Sequence, residues 1–185
     1  AALKRINTNV IGHGLTLQSR IEREALGLSN EEADKWERNV EMLFRVFANS
    51  KNCDMTRGMS FAQLQNLAFM SPLLSGDLFF MLPWKKVTGW PFELRIKLIE
   101  ADLCSNPMDA IDTEICAGGI ELDADGAPYR YHFANKYPLG SDIFNASERI
   151  WTAFEAFDPQ TGRQNVYHIF ERERPGQRRG MPFLA

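Results

Sequence analysis

The spacing of apolar residues changes near residue 76, and that change restricts the chain to an α+β architecture. Before it, Ala33, Trp36, Val40, Leu43, Phe44 and Phe47 recur at helical intervals. They follow Ser29-Asn30-Glu31-Glu32, a capping-box spacing with acids in the first turn. The pattern predicts a helix over residues 30–49. A second helix is predicted after Ser60, with Phe61, Leu64, Leu67 and Ala68 on one packing face and Pro72 ending or kinking it. Beyond residue 76 the apolar runs have strand length, at 78–82, 94–99, 119–122, 129–133 and 166–170. Asp125-Gly126 lies between two of them and predicts a hairpin, because a tight turn needs residues that tolerate positive φ. Residues 136–150 have a turn-like composition, and Asp158-Pro159-Gln160-Thr161-Gly162 reads as another loop. The expected organisation is N-terminal helices followed by a mainly antiparallel β region. No linker or repeat divides it, so residues 1–185 read as one domain, mainly helical over 1–75 and mainly β over 76–185.

With 185 residues, 44% of them hydrophobic and 24% charged, the chain has the composition of a folded globular domain. A net charge of -3 and a pI near 5.7 deny it the overall positive field that sequence-independent DNA binding uses, so any nucleic-acid contact must be local. Cys53, Cys104 and Cys116 are an odd number at long spacings, which fits neither a disulfide framework nor a Cys-x-x-Cys zinc site. A reducing cytoplasm is the simplest setting. No apolar run approaches the roughly 20 residues of a membrane span. The start, without Met, and the end at Met181-Pro182-Phe183-Leu184-Ala185 read as a domain cut from something longer.

The short motifs favour structural readings. Gly12-His13-Gly14 lacks the third glycine of a dinucleotide loop and the lysine of a phosphate loop, and reads as a tight turn. Asp123 and Asp125 resemble the start of a calcium loop, but Gly126 falls two positions early and Ala134 stands where the bidentate acid is needed. His13, His132 and His168 lack the spacing of a zinc helix, and the two in strand patterns read as hydrogen-bonded structural histidines. Trp36, Phe44 and Phe47 read as core or subunit-contact residues rather than as a base-stacking platform. No catalytic, cofactor or metal residue is assigned. The alternative kept beside this reading is a metal-dependent hydrolase using His132 and His168 with Asp123 or Glu121.

The most unusual stretch runs from Glu171 to Gly180, where Pro175-Gly176 imposes a turn and Arg172, Arg174, Gln177, Arg178 and Arg179 crowd together. Guanidinium forks suit carboxylate and phosphate alike. These five residues are the candidates for a subunit interface or a DNA-phosphate contact, against the plainer reading of a solvated loop paired with Glu171 and Glu173. The side chains are expected to project outward and to matter little for folding.

The run Asn165-Val166-Tyr167-His168-Ile169-Phe170 through Arg179-Gly180-Met181-Pro182 resembles the strand and arginine-rich turn of lambda-family phage portal proteins. Asn9 to Leu15, Cys53-Asp54, Ser75-Gly76-Asp77, Ile99-Glu100-Ala101-Asp102, Gly119 to Gly126 and Tyr131-His132 match in the same order. The resemblance therefore covers nearly the whole chain. Pro72 and its surroundings depart from the pattern, as does the stop at Ala185, ahead of the family's stem and clip.

That resemblance implies a structural subunit of a dodecameric ring at one capsid vertex, with no enzymatic activity and no cofactor. The ring would serve head assembly, DNA packaging and ejection, and head-tail joining. Its implied partners are further copies of itself, the terminase large subunit, capsid or scaffold proteins and head-tail joining proteins. Double-stranded DNA would pass through without sequence-specific binding, and no membrane is involved. The implied location is the virion, and the bacterial host cytoplasm during assembly. The chain would be the N-terminal part of the outer wing.

Overall fold

The computed structural model describes residues 2–137 and 149–183. They form two compact units that interleave in sequence: residues 1–69 with 83–96, and residues 70–82 with 97–185. The expected change from helical to β structure at 75/76 therefore does not coincide with the spatial division. The turn-like reading of 136–150 falls mainly outside the described residues.

The first unit holds α1 (Ala2–Val10), α2 (Arg23–Leu26), α3 (Asn30–Asn49) and the start of α4 (Phe61–Ser75). Helix α3 has the predicted boundaries, and its capping box is complete. Ser29 Oγ accepts the Glu32 amide, and the Glu32 carboxylate accepts the Ser29 amide at 3.0 Å, so two otherwise orphaned donors are satisfied. Phe47 is buried, and Phe44 meets Phe61 edge-on at 5.3 Å between ring centroids. On α4 the predicted face is only partly right, since Leu64 is buried and Leu67 is half exposed. Of the two expectations for Pro72, that it ends the helix needs correction, because the helix runs on to Ser75. Pro72 lies within its last turn, where the missing N–H removes a single bond, and its carbonyl still accepts the Gly76 amide at 2.9 Å.

The predicted strand over 94–99 is also interrupted. Arg95 and Ile96 donate to the carbonyls of Pro83 and Cys53, and only Lys97–Ile99 joins a sheet, as β2.

The second unit contains two antiparallel sheets. One has the order β2-β1-β7, with β1 at Leu78–Met81 and β7 at Val166–Ile169. The other has the order β3-β4-β5-β6, from Cys116–Ala117, Ile120–Leu122, Pro128–Ala134 and Trp151–Glu155. Strands β3 and β6 were not expected. β3 is two residues long, and the Trp-Thr-Ala-Phe-Glu of β6 carries three polar or small residues among its five. The hairpin between β4 and β5 forms as predicted, with Asp123 Oδ1 accepting the amides of Asp125 and Ala127. Phe79 of β1 meets Tyr131 and Phe133 of β5 edge-on at 5.9 and 5.4 Å, which places the core between the sheets.

Candidate functional site

The arginine-rich turn follows β7, and its shape comes from Pro175-Gly176. Proline fixes φ at the first central position, and Gly176 takes φ 77° at the second, so the Gln177 amide reaches the Arg174 carbonyl. Gln177 braces the turn from inside. Its Oε1 accepts the Glu173 amide at 2.9 Å and its Nε2 donates to the Arg179 carbonyl at 2.9 Å. A rigid turn of this kind presents Arg172 and Arg174 to solvent. The Arg172 guanidinium lies 5.5 Å from the Phe170 ring centroid, a cation-π position.

Arg178 leans back on its own chain, donating to the carbonyls of Thr113 and Glu114. Arg179 is held far more completely. Its Nε donates to Asp77 Oδ2 at 2.7 Å, Nη1 to the carbonyls of Cys104 and Gly118 at 2.8 Å, and Nη2 to the carbonyl of Ala101 at 2.9 Å. Its guanidinium also sits 5.3 Å from the Phe79 ring centroid. The expectation that the arginines all project outward and matter little for folding therefore fails for Arg179. Three carbonyls from two segments distant in sequence, Ala101 and Cys104 on one and Gly118 on the other, converge on one point, and this side chain donates to all three.

Asp77 is the centre of the arrangement and is 1% exposed. One carboxylate oxygen takes Arg179, and the other takes His168 Nε2 and the Gly180 amide, each at 2.7 Å. Burial favours its neutral form, but the bonds from His168 and Gly180 and the Arg179 charge prevail and hold it below the usual carboxylate range. His168 is stacked between Phe79 and Phe170, with ring centroids at 4.2 and 4.4 Å. Its basicity is lowered by burial, which outweighs the opposing bond and charge of Asp77. The imidazole is therefore neutral near pH 7 and donates its Nε2–H to the carboxylate.

The glycines on either side of this knot let two backbones touch. A Cβ at Gly76 would meet the Gly180 carbonyl at 2.5 Å, so neither position tolerates a side chain without backbone movement.

The turn overlies a cavity of about 240 Å³ with Ile120, Leu122, Tyr131 and Phe157 in its wall and Arg172 and Arg178 among its polar lining. Such a site can seat an apolar side chain beside a carboxylate or another oxyanion. It carries no activated nucleophile.

The hydrolase alternative is not supported. His132 faces Glu121 at 3.4 Å while His168 faces Asp77, so the two imidazoles address different carboxylates. Asp123 is spent on the hairpin turn. Among the described residues no three His, Cys, Asp or Glu side chains form a group able to hold a metal. No described helix is long and apolar enough to cross a membrane.

Two important residues were not singled out from sequence. Asp77 offered one signal, an acid placed directly before a strand with three buried residues. Arg149 offered none, yet it bonds Asp109, Ser105 Oγ and the Lys136 carbonyl and lies over the Trp151 ring.

A family model described as phage portal protein, lambda family, matches residues 1–185. Portal protein B of Escherichia phage lambda is 25% identical over 182 residues, covering 97% of this chain and 33% of that protein. The portal protein of Escherichia phage N15 is 25% identical over 174 residues, covering 93% of this chain and 32% of that protein. The chain thus spans about a third of the length of these relatives.

Proposed function

The chain belongs to the lambda family of phage portal proteins, and from that premise we propose that it is the N-terminal wing part of a subunit of the portal ring. Proteins of this family are structural components of the virion. In the reading proposed here, full-length copies close a dodecamer at one capsid vertex. That ring seeds head assembly in the host cytoplasm, receives the terminase large subunit, passes double-stranded DNA in and out, and later joins head to tail. The observation that carries this reading is the family match over the whole chain.

Within the ring, Arg172 and Arg174 are proposed to contact a carboxylate of the neighbouring subunit or a DNA phosphate, with Arg178 and Gln177 supporting the turn and Arg179 anchoring it. What supports the assignment is the exposure of the first two on a braced turn, beside a cavity that can seat a neighbour's side chain. Charge-assisted contacts of this kind weaken as salt rises. The 185-residue chain alone is expected to be monomeric or weakly associating, since ring closure needs heterologous contacts around a whole subunit.

The test is electron microscopy of the full-length protein, with Arg172→Ala and Arg174→Ala introduced together and ring formation and DNA packaging scored separately. Rings in the parent and a loss of either property in the variant are the expected results. A parent that forms no ring would overturn the portal reading. Normal rings and normal packaging in the variant would overturn the role of the turn.

A further inference from the structure

Arg95 lies in the helical unit and is only 2% exposed. Its Nε donates to the Lys85 carbonyl at 3.3 Å, but Nη1 and Nη2 are both buried with no hydrogen-bond partner among the described residues. A guanidinium does not lose its proton under biological conditions, so burial cannot remove the charge. The penalty for a sealed, unpaired cation stands until an anion meets it.

The backbone beneath the side chain is fixed on both sides. The Arg95 amide donates to Pro83, the Ile96 amide donates to Cys53, and the Ile96 carbonyl accepts the Met55 amide. On the same 83–96 segment Trp90 Nε1 is also buried without an acceptor among the described residues.

A second cation is held close by. Arg57 is exposed and adopts φ +57°, a left-handed conformation that a non-glycine residue takes only when its surroundings impose it. What imposes it is the Asp54 carboxylate, which gathers the amides of Thr56, Gly58 and Met59 and the Thr56 hydroxyl. That carboxylate is consumed by its own turn. After burial, the positive charge of Arg57 is the next influence lowering the basicity of Arg95, so the two cations lie near enough to repel.

We propose that Arg95 and Arg57 form an oxyanion site, in which Nη1 and Nη2 of Arg95 grip the two oxygens of a carboxylate or phosphate group and Arg57 closes over it. The fork of a guanidinium matches such a group in two parallel bonds. The residues alongside, Arg57 and Lys85, are exposed, so a small oxyanion reaches the site by displacing surface side chains. The proposal does not depend on the portal reading.

The test is thermal melting of the 185-residue chain at constant ionic strength, titrated with inorganic phosphate and, separately, with acetate. The wild type is expected to gain stability along a saturable curve. Arg95→Met, which keeps the bulk and removes the charge, should melt at or above the wild type without added anion and gain nothing from it. Arg57→Gln should need about ten times more anion, the loss of one charge-assisted contact. A response to acetate as strong as that to phosphate would identify the source as a protein carboxylate, such as a side chain of a neighbouring subunit. A response to phosphate alone would identify a free phosphate. Equal responses in wild type and Arg95→Met, or no response in either, would overturn the site. If Arg95→Met fails to fold, the arginine side-chain NMR signals of the wild type decide. Shifts of Arg95 and Arg57 that saturate with anion support the proposal, and unmoved signals overturn it.

Discussion

Arg179 and Arg95 are both arginines drawn into the body of the protein, one in the sheet unit and one in the helical unit. Arg179 satisfies a buried carboxylate and three carbonyls and rests on an aromatic face. Arg95 meets one carbonyl and leaves two nitrogens without an acceptor. The same side chain is thus a finished structural joint in one setting and half of a contact in the other. What separates them is whether the fold supplies the counter-charge, which Asp77 does for Arg179 and Asp54, tied up in its own turn, does not do for Arg95.

The sharpest way to break this comparison is Arg179→Ala. It would take the only paired positive side-chain charge from the buried Asp77 carboxylate, leaving it His168 and the Gly180 amide, and would remove a donor from three carbonyls; removing one partner of a buried ion pair costs about 3–5 kcal/mol. The measurement is urea unfolding of the chain, and a loss below about 1 kcal/mol would show that Arg179 is no joint. Arg95→Met, by contrast, is expected to leave stability unchanged or raised, because it removes a charge that nothing in the described chain pairs.

Acid should act next, and through the same knot. The folded-state basicity of His168 is depressed, so the unfolded chain takes up its proton first. Its contribution is intact above the ordinary value of 6.5 and declines as pH falls below it. Asp77 follows at lower pH, its contribution being present above 3.8 and lost as pH falls through its depressed folded value. Melting temperatures measured across this range should therefore be level near neutrality and begin to fall below about 6.5. In His168→Gln that first decline should be absent.

Smaller effects sharpen the contrast within the turn itself. Arg178→Ala loses only partly solvated bonds to two carbonyls, and its cost is expected near 1 kcal/mol. Arg172→Ala and Arg174→Ala should change stability by no more than about 0.5 kcal/mol each, as exposed substitutions do. An ordering other than Arg179 first, Arg178 second and the exposed pair last would contradict the division of the turn into an anchored end and a presented end.

Much of the fold follows from residues read in order, because helix caps, apolar periodicity and turn chemistry act over a few positions. The Ser29 and Glu32 pairing delimits α3, and Asp123 with Gly126 shapes the hairpin. Resemblance along the chain also placed it in its family. The missed strands lacked such local signals, being very short or poor in apolar residues. Pro72 does not end α4 because a proline in the last helical turn costs one bond, whereas in the middle it breaks or kinks the helix.

The five-residue candidate site was legible as a cluster of arginines on a Pro-Gly turn, a local property. Which arginine is anchored and which is free was not legible. Arg179 meets Asp77 across 102 positions and Ala101 across 78, and pairings at such separations leave no periodic trace in sequence. Sequence by itself determined α3, the start of α4, the hairpin, the turn and the family, while α1 and α2 were not expected. Tertiary structure decided that Asp77 gathers His168, Arg179 and Gly180, and that Arg95 is sealed in with two of its nitrogens unpaired among the described residues. The physical reason is that hydrogen-bond satisfaction and burial are properties of what surrounds a residue in space, and only the folded chain defines that surrounding.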